Sequence, residues 1–446
     1  MKQKSWIIIL LILAICNVVL YFPTHFFFLN DDFIHLALTD EGVFFQHRSI
    51  RPIHELLVKF NLLLWGKHAY GFHVTSLVLH FVVCIQLFFV STTILIKQFN
   101  TNINIAKQVS FVAVALFLIY PQHTESLTWI IGGAPILAGI FLLLCLQIYY
   151  QEKLNLINCL IGFLFFLISL FTYEQGILLP IFLCLLLVGK SKENYFSKRL
   201  KYALTLIFAG FIYIISRKII TTEIVGNYEG VNFNFSHISA LIGNAVRLLF
   251  RLFLNPSSVY FFIIGIVIVV LFTSIIFWKY KKIMSNSQLF FFSKIIFLLM
   301  LPVFSLGISI QSFESGRYLY LPSIFLIMML STFLVEAYYS SIIPKKLLLI
   351  FFSCFCLYWM NGKISGASDY KSASKYVKNT HKLVQEHFNV SNDTLYIDTL
   401  HSTVHKIPVF RMGFKRGIQW LNPTIDTNKI EVNHFDDDIL LKKNKF

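Results

Sequence analysis

Residues 6–33 read WIIILLILAICNVVLYFPTHFFFLNDDF, an apolar run that stops at two adjacent carboxylates, Asp31 and Asp32. A helix needs ~20 apolar residues to cross ~30 Å of hydrocarbon, and Trp6 to Phe28 supplies that length. A cleaved signal peptide would have a shorter apolar core and a small-residue cleavage site. This run instead continues through Tyr21-Phe22-Pro23, behind a basic N-terminus. It reads as a retained first span with its N-terminus in the cytoplasm. Asp31 and Asp32 then stand where the span has ended and water begins.

The rest of the chain repeats the pattern. Of its 446 residues, 57% are hydrophobic and 13% charged, against about 25% charged in an ordinary globular protein. Further apolar runs at 73–96, 108–121, 127–150, 154–172, 176–189, 202–220, 257–278, 290–312, 318–339 and 346–361 bring the expected total to about 11 spans. The fold class is therefore an all-α polytopic membrane protein.

The formal charge of +16 does not point to nucleic acid, because the cations sit in short loops between apolar runs. Lys97, Lys107 and Lys153 fall on the N-terminal face of the expected topology. So do Lys190, Lys192, Lys198, Arg199 and Lys201, then Lys279, Lys281 and Lys282, and finally Lys345 and Lys346. That is the positive-inside pattern. The seven cysteines lie in or beside apolar runs and form neither a disulfide framework nor a metal-ligand spacing.

Two stretches resist assignment as spans. From Arg51-Pro52, apolar residues at 53, 56, 57, 60, 63 and 64 make a helical stripe, with Pro at a helix start. Residues 237–255 carry Asn244, Arg247, Arg251 and Asn255 at spacings of three and four, on one helical face. Counting the second as a span would invert the Lys279–Lys282 loop, so both are expected as amphipathic helices on the outer membrane surface. The loop histidines His47, His54 and His68 read as surface residues. After residue 361 the composition turns polar. Residues 362–446 are expected as a small extracytoplasmic α/β domain: a helix over 367–388, a strand over 394–398, and a helix or irregular segment over 409–420. Residues 1–361 form the membrane domain.

With this topology, polar clusters converge on the outer face beside Asp31-Asp32. They are Pro121-Gln122-His123-Thr124-Glu125, Tyr173-Glu174-Gln175-Gly176, Glu314-Ser315-Gly316-Arg317 and the Arg247/Arg251 face. Ionisable residues at span ends are costly unless they reach water or a partner. Each has an ordinary alternative: a helix cap for the aspartates, a polar turn for His123 and Glu125, solvent exposure for Glu174, a local ion pair for Glu314 and Arg317, snorkelling for Arg247 and Arg251. Their recurrence at one face points instead to glycosyl transfer from a lipid-phosphate donor. A carboxylate takes the acceptor's proton, cations neutralise the leaving phosphate, and an apolar flank admits the lipid. Asp31 or Asp32 fits the first role, and Arg317, Arg247, Arg251 or His123 the second.

These motifs resemble a known family. Asn30-Asp31-Asp32 is similar to the first-loop acidic motif of GT-C-type membrane glycosyltransferases, and Arg51-Pro52-Ile53 with Leu64-Trp65-Gly66 to their amphipathic helix. The run from Pro121 to Trp129 and the run from Arg317 to Ser323 resemble the transmembrane protein O-mannosyltransferases that carry tetratricopeptide repeats. The resemblance covers roughly residues 1–340. It implies a GT-C-like fold, a polyprenyl-phosphate sugar donor and inverting transfer on the non-cytoplasmic face to a glycan, lipid or protein acceptor. It implies Asp31 or Asp32 as base or metal-linked carboxylate, with a divalent cation such as Mg or Mn compatible with the second role. Arg317 would bind the donor phosphate; His123, Glu125, Glu174, Glu314 and Arg51 are further site candidates. The chain departs from the pattern at Gly132-Gly133-Ala134, where relatives carry Gly-Arg, and at Tyr173, where they carry Lys. No tetratricopeptide repeats follow the membrane part.

A lipid-linked-sugar flippase or transporter would show mid-membrane charges and internal repeats, neither of which is evident. A surface-polysaccharide polymerase or ligase would share the lipid-linked donor but use other motifs. The composition suggests a bacterial inner membrane.

Overall fold

The computed structural model describes residues 3–44, 50–187, 193–221, 235–256, 267, 285–306, 308–340, 343–391 and 393–436. The expected span 257–278, the lysines at 190, 192, 279, 281 and 282, and His47 lie outside the described residues, apart from Val267. The chain is a helical membrane protein. Among the described residues, six helices are long and apolar enough to cross a bilayer, or seven if Ile103–Ile119 and Pro121–Thr128, bent by 55°, are one broken span. Shorter apolar helices occupy Leu156–Thr172, Glu174–Leu185 and Ser287–Val303.

Burial separates centre from periphery. In Gly316–Ser340, 94% of the apolar window is buried within the protein, against 11% in Ser5–His25. The bundle is therefore built around residues 320–340, and the first span lies at its edge. The first helix, Gln3–Leu20, ends earlier than its hydropathy suggests because Pro23 opens a 3-10 turn over Pro23–His25; proline lacks the N–H that would extend the helix. Similarly, the apolar run from 127 becomes a short helix Thr124–Thr128, a 3-10 turn Ile131–Gly133 and then the helix Ala134–Tyr149. Both interruptions place polar backbone at the same end of the bundle.

Two expectations are revised. The run 346–361 and the helix expected over 367–388 form one continuous helix, Lys345–Val390. No proline interrupts it, and Gly362 and Gly366 pack against Asn255 and Phe313 rather than breaking it. The helix Phe235–Phe253 does not turn the whole of its polar face to water: Arg247 is exposed but Arg251 is not. Leu248, Arg251 and Leu252 are buried, whereas Ile242, Val246, Leu249 and Phe250 are exposed. Asn255, just beyond it, donates through its backbone N–H to Tyr358 Oη at 2.8 Å and through Nδ2 to the Tyr358 carbonyl at 2.8 Å.

The amphipathic helix appears as Pro52–Trp65, preceded by a helix Asp32–Asp40 that periodicity had not revealed. The C-terminal segment pairs Leu395–His401 with Ile430–Asp436 in parallel, Leu395 opposite Ile430, with the helix Phe414–Leu421 in the crossover. A second antiparallel pair, Thr403–Val404 with Ile407–Pro408, turns through His405 and Lys406 at positive φ. This segment packs on the first loop: Trp420 Nε1 donates to Asp40 Oδ2 at 3.0 Å, Arg416 pairs with Glu41 at 2.5 Å, and Gly417 leaves room only for Phe33.

Candidate functional site

The first loop is fixed by its contacts with the C-terminal segment. Asn30 adopts a left-handed conformation (φ 47) that asparagine tolerates better than most residues. Its N–H donates to the Val409 carbonyl at 2.9 Å, and its Oδ1 accepts the Met412 N–H at 3.1 Å. The next two residues, alike in sequence, then diverge. Asp32 is fully buried, and its two oxygens accept from Leu29 N at 2.9 Å and Ile131 N at 3.0 Å. It clasps the first loop to the 3-10 turn Ile131–Gly133. Burial, with Asp31 beside it, raises the Asp32 carboxyl well above the usual carboxylate range, against the pull of these backbone donors.

Asp31 caps the helix Asp32–Asp40 through its backbone carbonyl, which receives the Ile34 and His35 N–H groups at 3.1 Å each. Its side chain makes no capping bond, and Oδ1 is buried without a partner. A buried polar atom left unpaired calls for an explanation.

Two arginine–carboxylate pairs stand nearby. Arg317 follows Gly316 in a 3-10 turn; its backbone N–H reaches Glu125 Oε2 at 2.7 Å and its Nη1 reaches Oε1 at 3.1 Å. The guanidinium lies 4.8 Å from the Trp129 ring centre and 5.2 Å from that of Tyr318. Arg51 makes a two-pronged pair with Glu174, Nη2–Oε1 at 3.0 Å and Nε–Oε2 at 3.2 Å, and stacks 4.8 Å over Tyr173. The two cations are near enough to repel one another, and Arg317 is attracted by Asp31. Asp31, Arg51, Arg317, Glu125 and Glu174 thus form one electrostatic cluster.

Other site candidates are placed elsewhere. Glu314 does not pair locally with Arg317; it binds Arg411 of the C-terminal segment, at 2.8 and 3.4 Å. Arg251 is 2% exposed, and its guanidinium donates to Gln122 Oε1 at 2.6 Å, Ser312 O at 2.7 Å and Ser309 O. It clamps the chain before Arg317. Arg247, one turn earlier, is exposed. His123 is fully buried, with Nε2 2.9 Å from Ser323 Oγ and its ring among Phe117, Tyr120, His80 and Tyr320. His54, expected at the surface, is 5% exposed, and burial, aided by Arg51 and His35, lowers its pKa to about 3.

Sequence reasoning did not single out Trp129, Tyr173 or Tyr318 as the aromatic walls of the arginines, nor Lys363. The Lys363 ammonium is buried, donating to Asn17 Oδ1 at 2.7 Å and to the Leu118 carbonyl. Trp129 and Tyr318 were visible only as neighbours of Glu125 and Arg317 in the chain. A divalent cation does not fit this cluster: among the described residues no three His, Cys, Asp or Glu side chains gather as ligands. Asp32 is engaged by backbone N–H groups, and Glu125 and Glu174 by arginines.

No protein-family profile matches the chain. It is similar to protein O-mannosyl-transferase TMTC1 of Mus musculus, 29% identical over 133 residues, which is 30% of this chain and 13% of that protein. Mouse TMTC4 is 32% identical over 111 residues, 24% of this chain and 15% of that protein. Tmtc3 of Drosophila melanogaster, another protein O-mannosyl-transferase, is 29% identical over 119 residues, 24% of this chain and 13% of that protein. The similarity to transmembrane O-mannosyltransferases expected from the motifs is thus present. The chain spans only 13–15% of the length of these relatives. The crystal structure of an oligosaccharyltransferase from Archaeoglobus fulgidus, in complex with zinc and sulfate, aligns with a TM-score of 0.47 at 9% identity, covering 97% of this chain and 62% of that one.

Proposed function

We propose that the chain is a GT-C-type membrane glycosyltransferase that moves a sugar from a polyprenyl-phosphate donor to an acceptor hydroxyl on the non-cytoplasmic face, with Asp31 as base. The observation that carries this reading is the contrast between the two aspartates. Asp32 is engaged by two backbone N–H groups, whereas Asp31 keeps a carboxylate oxygen without a partner beside Arg317. A general base must have an oxygen available for the proton it takes.

In the step proposed, the acceptor O–H gives its proton to Asp31 and its oxygen bonds to the sugar's anomeric carbon. The bond from that carbon to the phosphate oxygen breaks, and the leaving polyprenyl phosphate keeps the electron pair. Arg317 meets the charge that develops there, with Arg51 behind it; preset cations of this kind stabilise a transition state without reorganising. Trp129 and Tyr173 hold the two guanidinium planes in place. The similarity to O-mannosyl-transferases supports sugar transfer as the reaction class.

The same reading takes residues 1–361 as the catalytic membrane domain and 362–446 as an extracytoplasmic domain. It puts the N-terminus in the cytoplasm of a bacterium and the protein in its inner membrane. The acceptor class is a glycan, lipid or protein hydroxyl.

The test is a membrane assay offering polyprenyl-phosphate and polyprenyl-diphosphate sugars as donors. Asp31→Asn is expected to abolish transfer from the monophosphate donor at unchanged thermal stability. Asp32→Asn is expected to lower stability as well, because the amide keeps only one acceptor oxygen for the Leu29 and Ile131 N–H groups, and a buried donor left unpaired costs ~1–3 kcal/mol. Full transfer by Asp31→Asn would sink the assignment.

A further inference from the structure

A cleft of about 560 Å³ opens in the C-terminal segment, where that segment packs on the first loop. Its size lies within the ~300–1,000 Å³ usual for small-ligand sites. Phe410 and Phe414, buried and 4.9 Å apart between ring centres, are among its lining residues. Met412 and Phe435, each 51% exposed, add apolar surface, and Arg411 and Lys415 add positive charge. Arg411 already shares its charge with Glu314, while Lys415 is exposed and makes no ion pair among the described residues.

The segment 409–413, of which residues 410–413 wall this cleft, is also tied to both halves of the proposed reaction centre. Asn30, the residue before Asp31, is held by the Val409 carbonyl and the Met412 N–H. Gly413, at φ 82, packs so closely that an added Cβ would lie 3.3 Å from the Asn30 carbonyl oxygen. Arg411 reaches Glu314, three residues before Arg317. A ligand in the cleft therefore rests on the backbone that positions the base loop and the phosphate-binding loop together.

Aromatic and thioether surface beside two cations suits a ligand that offers apolar C–H faces and an acidic group at once. We infer that the cleft is the acceptor subsite of the proposed transferase and that it takes a saccharide bearing a carboxylate or phosphate. This rests on the reading of Asp31 as base, and it adds what that reading leaves open, the chemistry of the acceptor. The cations pair with the acidic group, as charge-assisted bonds favour, and the aromatic wall covers the sugar face.

The experiment measures binding without any donor. The full chain, reconstituted in nanodiscs of neutral lipid, is titrated with a glucuronate-containing tetrasaccharide and with neutral chitotetraose. The acidic saccharide is expected to bind saturably and the neutral one at least about ten-fold more weakly. Lys415→Ala and Arg411→Ala are each expected to weaken acidic binding by several-fold, with the melting temperature held. Phosphorylated oligosaccharide in a parallel arm separates a phosphate from a carboxylate preference. Equal binding of the neutral sugar, binding indifferent to both substitutions, or selective capture of anionic lipid vesicles instead of saccharide would each overturn the inference. Failure here leaves the Asp31→Asn transfer assay untouched, whereas retained transfer in Asp31→Asn with saccharide binding intact faults the base and not the cleft.

Discussion

Glu125 receives Arg317 twice, from the backbone N–H at 2.7 Å and from Nη1 at 3.1 Å, although 192 residues separate them. The Glu125 side chain is fully buried and that of Arg317 only 24% exposed. Removing one partner strands the other charge in a poorly solvated place, which typically costs ~3–5 kcal/mol. Arg317→Ala and Glu125→Ala should therefore both lower the unfolding temperature in detergent clearly. Glu125→Gln should cost less, since an amide oxygen still accepts the Arg317 backbone N–H. Equal losses for Gln and Ala would argue that packing, not the pair, is what Glu125 supplies.

Acid should loosen the joint between the C-terminal segment and the first loop. His381 lies well beyond the apolar stretch 346–361, 5% exposed, with neither ring nitrogen paired. Its ring sits 4.9 Å from Phe33 and near Phe27, Phe410 and Phe414. Burial lowers its pKa from 6.5 to about 4. The unfolded chain then binds this proton first as pH falls, so the contribution is whole above about pH 6.5 and is lost progressively down to about pH 4. At ~1.36 kcal/mol per pKa unit, that is ~3 kcal/mol at most. Melting curves from pH 7 to 4 should show the loss, and His381→Phe, which suits the aromatic surroundings, should flatten it. An unchanged pH slope in His381→Phe would place the acid sensitivity elsewhere.

What the sequence made legible, and what it did not, follows the range of the forces involved. Span length and the stripe from Pro52 are local patterns, and helices appear along most of the apolar runs that lie within the described residues, although 127–150 and 176–189 are broken by short turns. The polar clusters at span ends were also visible, because ionisable residues stand out against an apolar chain. Partner choice was not. Spacing made Glu314 and Arg317 look like a pair, but the turn at Gly316 sends one to Arg411 and the other to Glu125. The polar face of 235–253 looked solvated, yet a buried arginine is acceptable where Gln122 and two backbone carbonyls receive its Nη groups. Nothing in Asp31-Asp32 says which carboxylate a distant Ile131 N–H will claim.

The two arginines of that helix should behave differently. Arg251 is held by one side chain and two carbonyls, and hydrogen bonds to a charged group contribute ~1.5–3 kcal/mol each. Its replacement by alanine should destabilise the protein by several kcal/mol, on the order of 3 or more. Arg247→Ala, at an exposed position, should stay within about 0.5 kcal/mol of the parent. Thermal unfolding of the two variants side by side checks the placement. Similar melting temperatures would mean that the polar face is solvated after all.

Gly316 is where the turn that carries Arg317 can be disturbed without touching a charge. A Cβ there would lie 2.9 Å from the Gln122 carbonyl oxygen, closer than real Cβ atoms come to backbone. The neighbouring backbone has little room to yield, since the Gln122 side chain is tied to Leu254 O at 3.0 Å and to Arg251 at 2.6 Å. The turn must therefore move, and with it the Arg317 N–H that reaches Glu125. Overpacking of this kind costs ~1–3 kcal/mol. If Arg317 serves the leaving phosphate, Gly316→Ala should reduce transfer far more than it reduces melting temperature, because small displacements of a positioned group are costly in rate. The transfer assay and a melting curve on one preparation test this. Transfer that falls only in proportion to the folded fraction would leave Arg317 a structural residue.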